Sequence, residues 1–302
     1  MENYIYTDLA CERIKESKIN VNNSTNVEFS SNTVNNITVR RMNVKNKAGE
    51  QESGVGKGKY TTIYFPSVTT MSEEDNTTLS MVIAKEISDI LTDDIFDILI
   101  CGLGNINMTT DSVGPKVIDK LTVTRHVYDY DRKTFELLEC KKTSAIAPGV
   151  LAQTGIESAH IIKGVCEKVS PDIVLTVDSI CARATERLCT TIQITDTGVA
   201  PGSGVKNKRP KIDTALLSLP VISIGFPTVM NSATMIYDCL EKNKVNNVST
   251  ELEQTLQNNV SYYVTVNEID EITNIISDVI ANAINIATSL DPTYNFSYEK
   301  LK

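Results

Sequence analysis

Tryptophan is absent from the 302-residue chain, histidine occurs only twice, and aromatic residues make up 6% of the whole. His126 and His160 flank no Ser or Cys motif, so a histidine-based triad or a His-rich metal centre has little material to work with. No metal and no cofactor are expected. The seven cysteines (11, 101, 140, 166, 181, 189 and 239) are odd in number, scattered, and form no CxxC pair, which argues for reduced and mostly buried thiols. No window of eighteen apolar residues exists, and the opening MENYIYTDLACE has neither a basic nor an apolar leader region. A cytoplasmic protein that does not engage a membrane is therefore expected. Basic runs are also lacking: the net charge is -9, and Lys206, Lys208, Arg209 and Lys211 form the one small cluster, so direct nucleic-acid binding is not expected.

What is present is a chain that is 41% hydrophobic, enough to bury a substantial core. Short apolar runs alternate with helical patterns, which implies right-handed crossovers and a single α/β domain with a largely parallel sheet and helices on both faces. Residues 17–58 read as a loop-rich N-terminal part, with a hairpin or edge strand in NITVRRMNV. The spacing predicts a strand over 60–65, a helix from Ser72 with Leu79, Val82, Ile83 and Ile87 along one face, an extended run over 122–128, and a long C-terminal helix opened by a capping box at Thr265–Glu268.

Two stretches carry the chemistry. Asp97–Cys101 is an apolar run stopped by Gly102-Leu103-Gly104-Asn105, with Asp111 at the mouth of the next helix. Asp172–Val177 is a second run, ending on Asp178. Open α/β sheets build sites at such strand ends. Taken singly, each Asp is an ordinary cap residue. Brought together they would split their proton affinities, one ionised to activate water and the other holding a proton for a leaving amine.

Other motifs say less. Gly102-x-Gly104 lacks the third glycine of a dinucleotide loop, Asn107 standing in its place. Asp196-Thr197-Gly198 spells the DTG of pepsin-like proteases, but once only and in an α/β setting. It opens a Gly/Pro-rich loop that includes Gly198, Gly202 and Lys206 and could rim a cleft. That loop and the Gly102–Asn105 turn are candidate cleft linings, with backbone amides for an oxyanion. Arg183, Arg187, Lys206, Lys208 and Arg209 are candidates to read an acidic substrate residue. Two rival readings are a non-catalytic α/β ligand-binding protein and a metal-dependent maturation-type protease.

The strings TDLACE, GLGN, TTDSVGPKVIDKLTVTRH, SAIAPGVLAQTGIES, DIVLTVDSICARATER, TTIQITDTGVAPGSGVKNKR, PVISIGFPTV and VTVNEIDEI resemble, in order and over nearly the whole chain, the germination proteases of endospore-forming bacteria. The resemblance implies an α/β fold similar to hydrogenase-maturation proteases and a homotetrameric, atypical aspartic-type endopeptidase that degrades small acid-soluble spore proteins in the spore core. It places the active-site aspartates on Asp111 and Asp178. It also implies a self-processing zymogen whose cleavage site resembles the substrate site, roughly T-E-(F/I)-A-(S/T)-E. Thr7–Glu12 fits that pattern, which implies a propeptide over residues 1–8, a cut between Asp8 and Leu9, and a peptidase domain over 9–302. Residues 242–263 are short where family members carry a longer stretch.

Overall fold

The computed structural model describes residues 7–13, 24–92, 94–201, 209–245, 249–258 and 262–290. Residues 1–6 of the expected propeptide, 14–23, Gly202 and Lys206 lie outside them. The strands are β1 (Val27–Val34), β2 (Ile37–Val44), β3 (Gly58–Tyr64), β4 (Asp97–Gly102), β5 (Lys142–Ile146), β6 (Ile173–Ala182), β7 (Thr191–Thr195), β8 (Val221–Asn231) and β9 (Tyr263–Val264). They form one sheet in the order β1-β2-β3-β7-β8-β6-β4-β5, with β9 beside β8.

The sheet is parallel where it holds the site, along β8-β6-β4-β5. All six residues of β4 are buried, as expected for a strand covered on both faces. On one face, Ile98, Ile100, Leu175 and Val177 pack against the helices Glu73–Ser88, Val113–Ile118 and Ile269–Thr288. On the other, Leu99, Cys101 and Val174 meet Ala159, Ile162 and Cys166 of the Ser158–Val169 helix. The strand period of two makes this division. From β8 outward the chain turns antiparallel: β7, β3 and the β1–β2 hairpin extend the sheet. That hairpin, anticipated in NITVRRMNV, turns at Asn35 with φ of 51°, a conformation Asn tolerates better than most residues.

Three local expectations are corrected. Asp178 does not end its strand, because β6 runs on to Ala182 and pairs with β8, which continues through Pro227 across an irregularity at Ile180/Cys181. Residues 125–130 are helical rather than extended, and Tyr128 is fixed by edge-on packing against Phe135 from a neighbouring helix. The capping box at Thr265 does not form: the last helix starts at Ile269, and the Thr265 hydroxyl donates instead to the Thr228 carbonyl at 2.6 Å.

The turn after β4 is set by glycine packing. A Cβ on Gly114 would lie 2.3 Å from the Leu103 carbonyl and 2.6 Å from that of Val177, so the short helix after the turn presses its backbone directly onto the end of β4 and onto β6. Gly114→Ala should therefore cost about 2–4 kcal/mol, with strand backbone forced to move. Gly164→Ala, in a helix where the added Cβ meets nothing within 4 Å, should instead stabilise by about 0.5–1 kcal/mol. Urea denaturation of the two variants checks the opposite signs.

Candidate active site

Gly104 takes φ of +119°, and a Cβ there would fall 2.1 Å from the Asp111 carbonyl, so the glycine lets the turn after β4 fold back against the loop that carries Asp111. The Asn105 amide then donates to both the Asp111 carbonyl and its carboxylate, each at 2.9 Å. The Asn105 side chain is itself held by Gln153 at 2.7 Å. A second support comes from β8, where the Thr228 hydroxyl donates to the Thr110 carbonyl at 2.5 Å. Asp111 is thus fixed by backbone and by neighbours, and among the described residues no ion pair holds it.

Asp178 sits in mid-strand on β6, 5% exposed, opposite Gly225 of β8. It and Asp111 line one cavity of about 440 Å³, together with Asp8, Gly104, Ser179, Cys181, Arg209, Thr228 and Tyr263 among others. Burial, opposed by the Asn105 amide and the Arg209 charge, raises the Asp111 carboxyl to about 6. For Asp178, burial and then the charges of Asp111 and Asp8 push proton affinity well above the ordinary carboxylate range; the Ser179 amide and Arg209 oppose this only in part. Two neighbouring carboxyls with separated proton affinities can divide the acid and base roles of a hydrolysis.

The other candidate residues fall in several places. Gly102 packs against Gly114 rather than lining the cavity, and Gly198 lines a neighbouring cavity of about 550 Å³. The Asn105 amide is committed to Asp111 and is not spare for an oxyanion. The Arg183 guanidinium is ion-paired with Glu241, whereas Arg209 faces the carboxylates. Gly202, Lys206 and Lys208 lie outside the described residues. Among the described residues, no group of three His, Cys, Asp or Glu side chains is arranged to hold a metal ion, and no helix is long and apolar enough to cross a membrane.

Asp8 lines both cavities. The Asp8 amide donates to the Cys181 carbonyl at 3.0 Å, and the Cys181 amide returns a bond to the Asp8 carboxylate at 2.9 Å. Leu9 is fully buried against Ile180 and Ala182. The β6 extension past Asp178 is thus the rail on which this segment docks. No spacing in the sequence signals that contact, because the partners are 173 residues apart.

The family profile described as germination protease matches residues 6–245. A germination protease of Clostridium acetobutylicum is 36% identical over 322 aligned residues, 98% of each chain. One from Caldanaerobacter subterraneus subsp. tengcongensis is 41% identical over 76% of this chain and 70% of its own. Among solved structures, the NiFe hydrogenase maturation protease HycI of Thermococcus kodakarensis KOD1 aligns with 66% of this chain and 98% of its own, at a TM-score of 0.37 and 16% identity.

The raised Asp111 has a consequence for stability. Its folded value of about 6 exceeds that of an unfolded Asp, so between the two the folded state binds more protons, and stability falls as pH rises through that interval. Asp111→Asn should make the protein about 1–2 kcal/mol more stable at pH 7.5, with the gain vanishing below about pH 4. Thermal unfolding of both proteins across that range is the measurement.

Proposed function

The chain belongs to the germination protease family and by that membership is a peptidase of spore germination; we propose that it is an atypical aspartic-type endopeptidase in which Asp111 and Asp178 act together on one water molecule. The observation that carries this is the shared cavity: two carboxyls of separated proton affinity, with Asp8 at its wall. Ionised Asp111 removes a proton from water, whose oxygen attacks the carbonyl carbon of the residue before the cut. Asp178, which keeps its proton, delivers it to the leaving nitrogen as the C–N bond breaks. The products are a new carboxylate and a new amine.

In the unprocessed chain that bond joins Asp8 to Leu9, so the same site removes its own N-terminal segment. Support comes from the placement of Asp8 beside Asp178, close enough for its charge to raise the latter's proton affinity. Small acid-soluble spore proteins as substrates, a homotetramer and a spore-core location complete the proposal and rest on the family resemblance.

Asp178→Asn should leave a folded protein that cuts neither itself nor an added peptide, by more than about a thousandfold, as expected when the group that protonates the leaving amine is lost. N-terminal sequencing of the purified chains reads this directly: wild type should begin at Leu9, and a folded Asp178→Asn chain that also begins there removes the residue from the mechanism. Because Asp111 must be ionised, kcat/KM should fall tenfold per pH unit below about 6. An acid limb near 4 would contradict that role.

A further inference from the structure

The main chain on the two sides of the proposed cut bond is bonded to two different strands. β4 accompanies β6 only as far as Val177, whose carbonyl accepts the Leu103 amide at 2.8 Å, and the Asp8 amide takes the open edge beyond it at the Cys181 carbonyl. Two residues on, the Ala10 amide donates to Oε1 of Gln193 on β7 at 2.5 Å. The segment thus crosses the sheet instead of lying along one strand. A single helical turn, Ala10–Arg13, then returns it to the end of β6, where the Glu12 carboxylate accepts the amides of Arg183 at 2.7 Å and Ala184 at 2.8 Å and the Arg187 guanidinium at 3.1 Å.

Gln193 stands opposite Gly225 in the β7–β8 pairing, as Asp178 does in the β6–β8 pairing. Residues opposite one another share a face of the sheet, so the carboxyl and the carboxamide leave the same face on either side of Gly225. The ground between them is kept low: a Cβ on Gly225 would fall 2.7 Å from Cδ1 of Ile180, the residue against which Leu9 is buried. Gln193 is 8% exposed, and among the described residues the Ala10 amide is the one partner of its carbonyl oxygen. A buried carboxamide costs free energy unless it is bonded, and this one is bonded to the backbone of the segment that the reaction cuts.

We propose that Gln193 is a substrate-positioning residue, whose carbonyl oxygen accepts the main-chain N–H of the second residue past the cut bond in any peptide the site takes. This deepens the proteolytic reading above and rests on it. The Cys181 carbonyl holds the main chain before the cut and Gln193 holds it after, so the peptide unit between the two bonds is fixed in place over Asp178, with the orientation paid for in binding. The contact is to backbone, so it sets register without reading a side chain. A peptide with proline at that position has no N–H to offer and is a poor substrate.

The test uses the full chain after it has processed itself and two peptides copying residues 3–15, one natural and one with lactate in place of Ala10, so that an ester oxygen stands where the N–H was. Wild type should cut the natural peptide between Asp8 and Leu9 with kcat/KM on the order of tenfold higher, the usual worth of one hydrogen bond whose buried acceptor is otherwise left unpaired. Gln193→Met, of similar size but without the carbonyl, should process itself on the order of tenfold more slowly and cut the two peptides within about twofold of each other, chiefly by slowing the natural one. Should that variant fail to fold or to process itself, Gln193→Asn, which keeps the carbonyl on a shorter arm, should give an intermediate ratio. The chain's own residues 9–13 compete equally with both peptides, and a general loss of stability slows both alike, so the ratio isolates the bond. Equal cutting of both peptides by wild type, or the full wild-type ratio in either variant, overturns the positioning role and leaves the protease standing. Failure of wild type to cut the natural peptide overturns both.

Discussion

Two largely buried carboxyl groups that share one cavity cannot both be charged at neutral pH without a large desolvation and repulsion cost. Much of the chain around β4 and β6 is arranged to make that cost tolerable and useful. Asp178 is carried on a strand in the middle of the sheet, where it cannot swing out to water. Asp111 is carried on a loop, and the Asn105 amide stabilises its charged form. Each carboxyl has a backbone amide on it, Ser179 for one and Asn105 for the other, so the separation of their proton affinities comes from the deeper burial of Asp178 and from the charges of Asp111 and Asp8 beside it. Arg209 faces both and offsets part of the negative charge in the cavity.

Backbone packing makes the approach geometrically available. Gly102 and Gly114 let the turn after β4 and the helix following Asp111 lie against each other without intervening side chains, and Gly104 admits the Asp111 carbonyl. Glycines that look in the sequence like half of a nucleotide loop thus serve to bring a loop carboxylate within electrostatic reach of a strand carboxylate. A phosphate-binding reading would need the amides of this turn to be free, and that of Asn105 is already bonded to Asp111.

The elements legible in the sequence were those whose signal is local. Buried parallel strands announce themselves as continuous apolar runs, and DILICG and IVLTV fell where the runs predicted. The helix from Ser72 was readable because its cap is three residues long and does form, with Asp75 as partner. The features that escaped depend on partners far along the chain. The extension of β6 beyond Asp178 exists because β8 continues alongside it, and the Thr265 cap fails because Thr228 takes its hydroxyl. The Glu12 contacts escaped most completely: an acid followed by Arg gives no hint that its donors lie 171 to 175 residues away.

Asp8 brings a third carboxylate to the cavity, and its charge raises the proton affinity of Asp178. On the mechanism proposed, that load falls on the group that must still hold a proton when the amine departs. An acidic residue before the cut bond therefore does more than offer a charge for a cation to recognise. It adds to the burial and the Asp111 charge that already keep the proton on Asp178 up to the step in which Asp178 donates. When the cut segment leaves, its share of the repulsion leaves with it, while burial and the charge of Asp111 still hold the proton affinity of Asp178 above the ordinary carboxylate range. A peptide with a neutral residue at that position binds without supplying this bias, so discrimination against it is expressed in the chemical step as well as in binding.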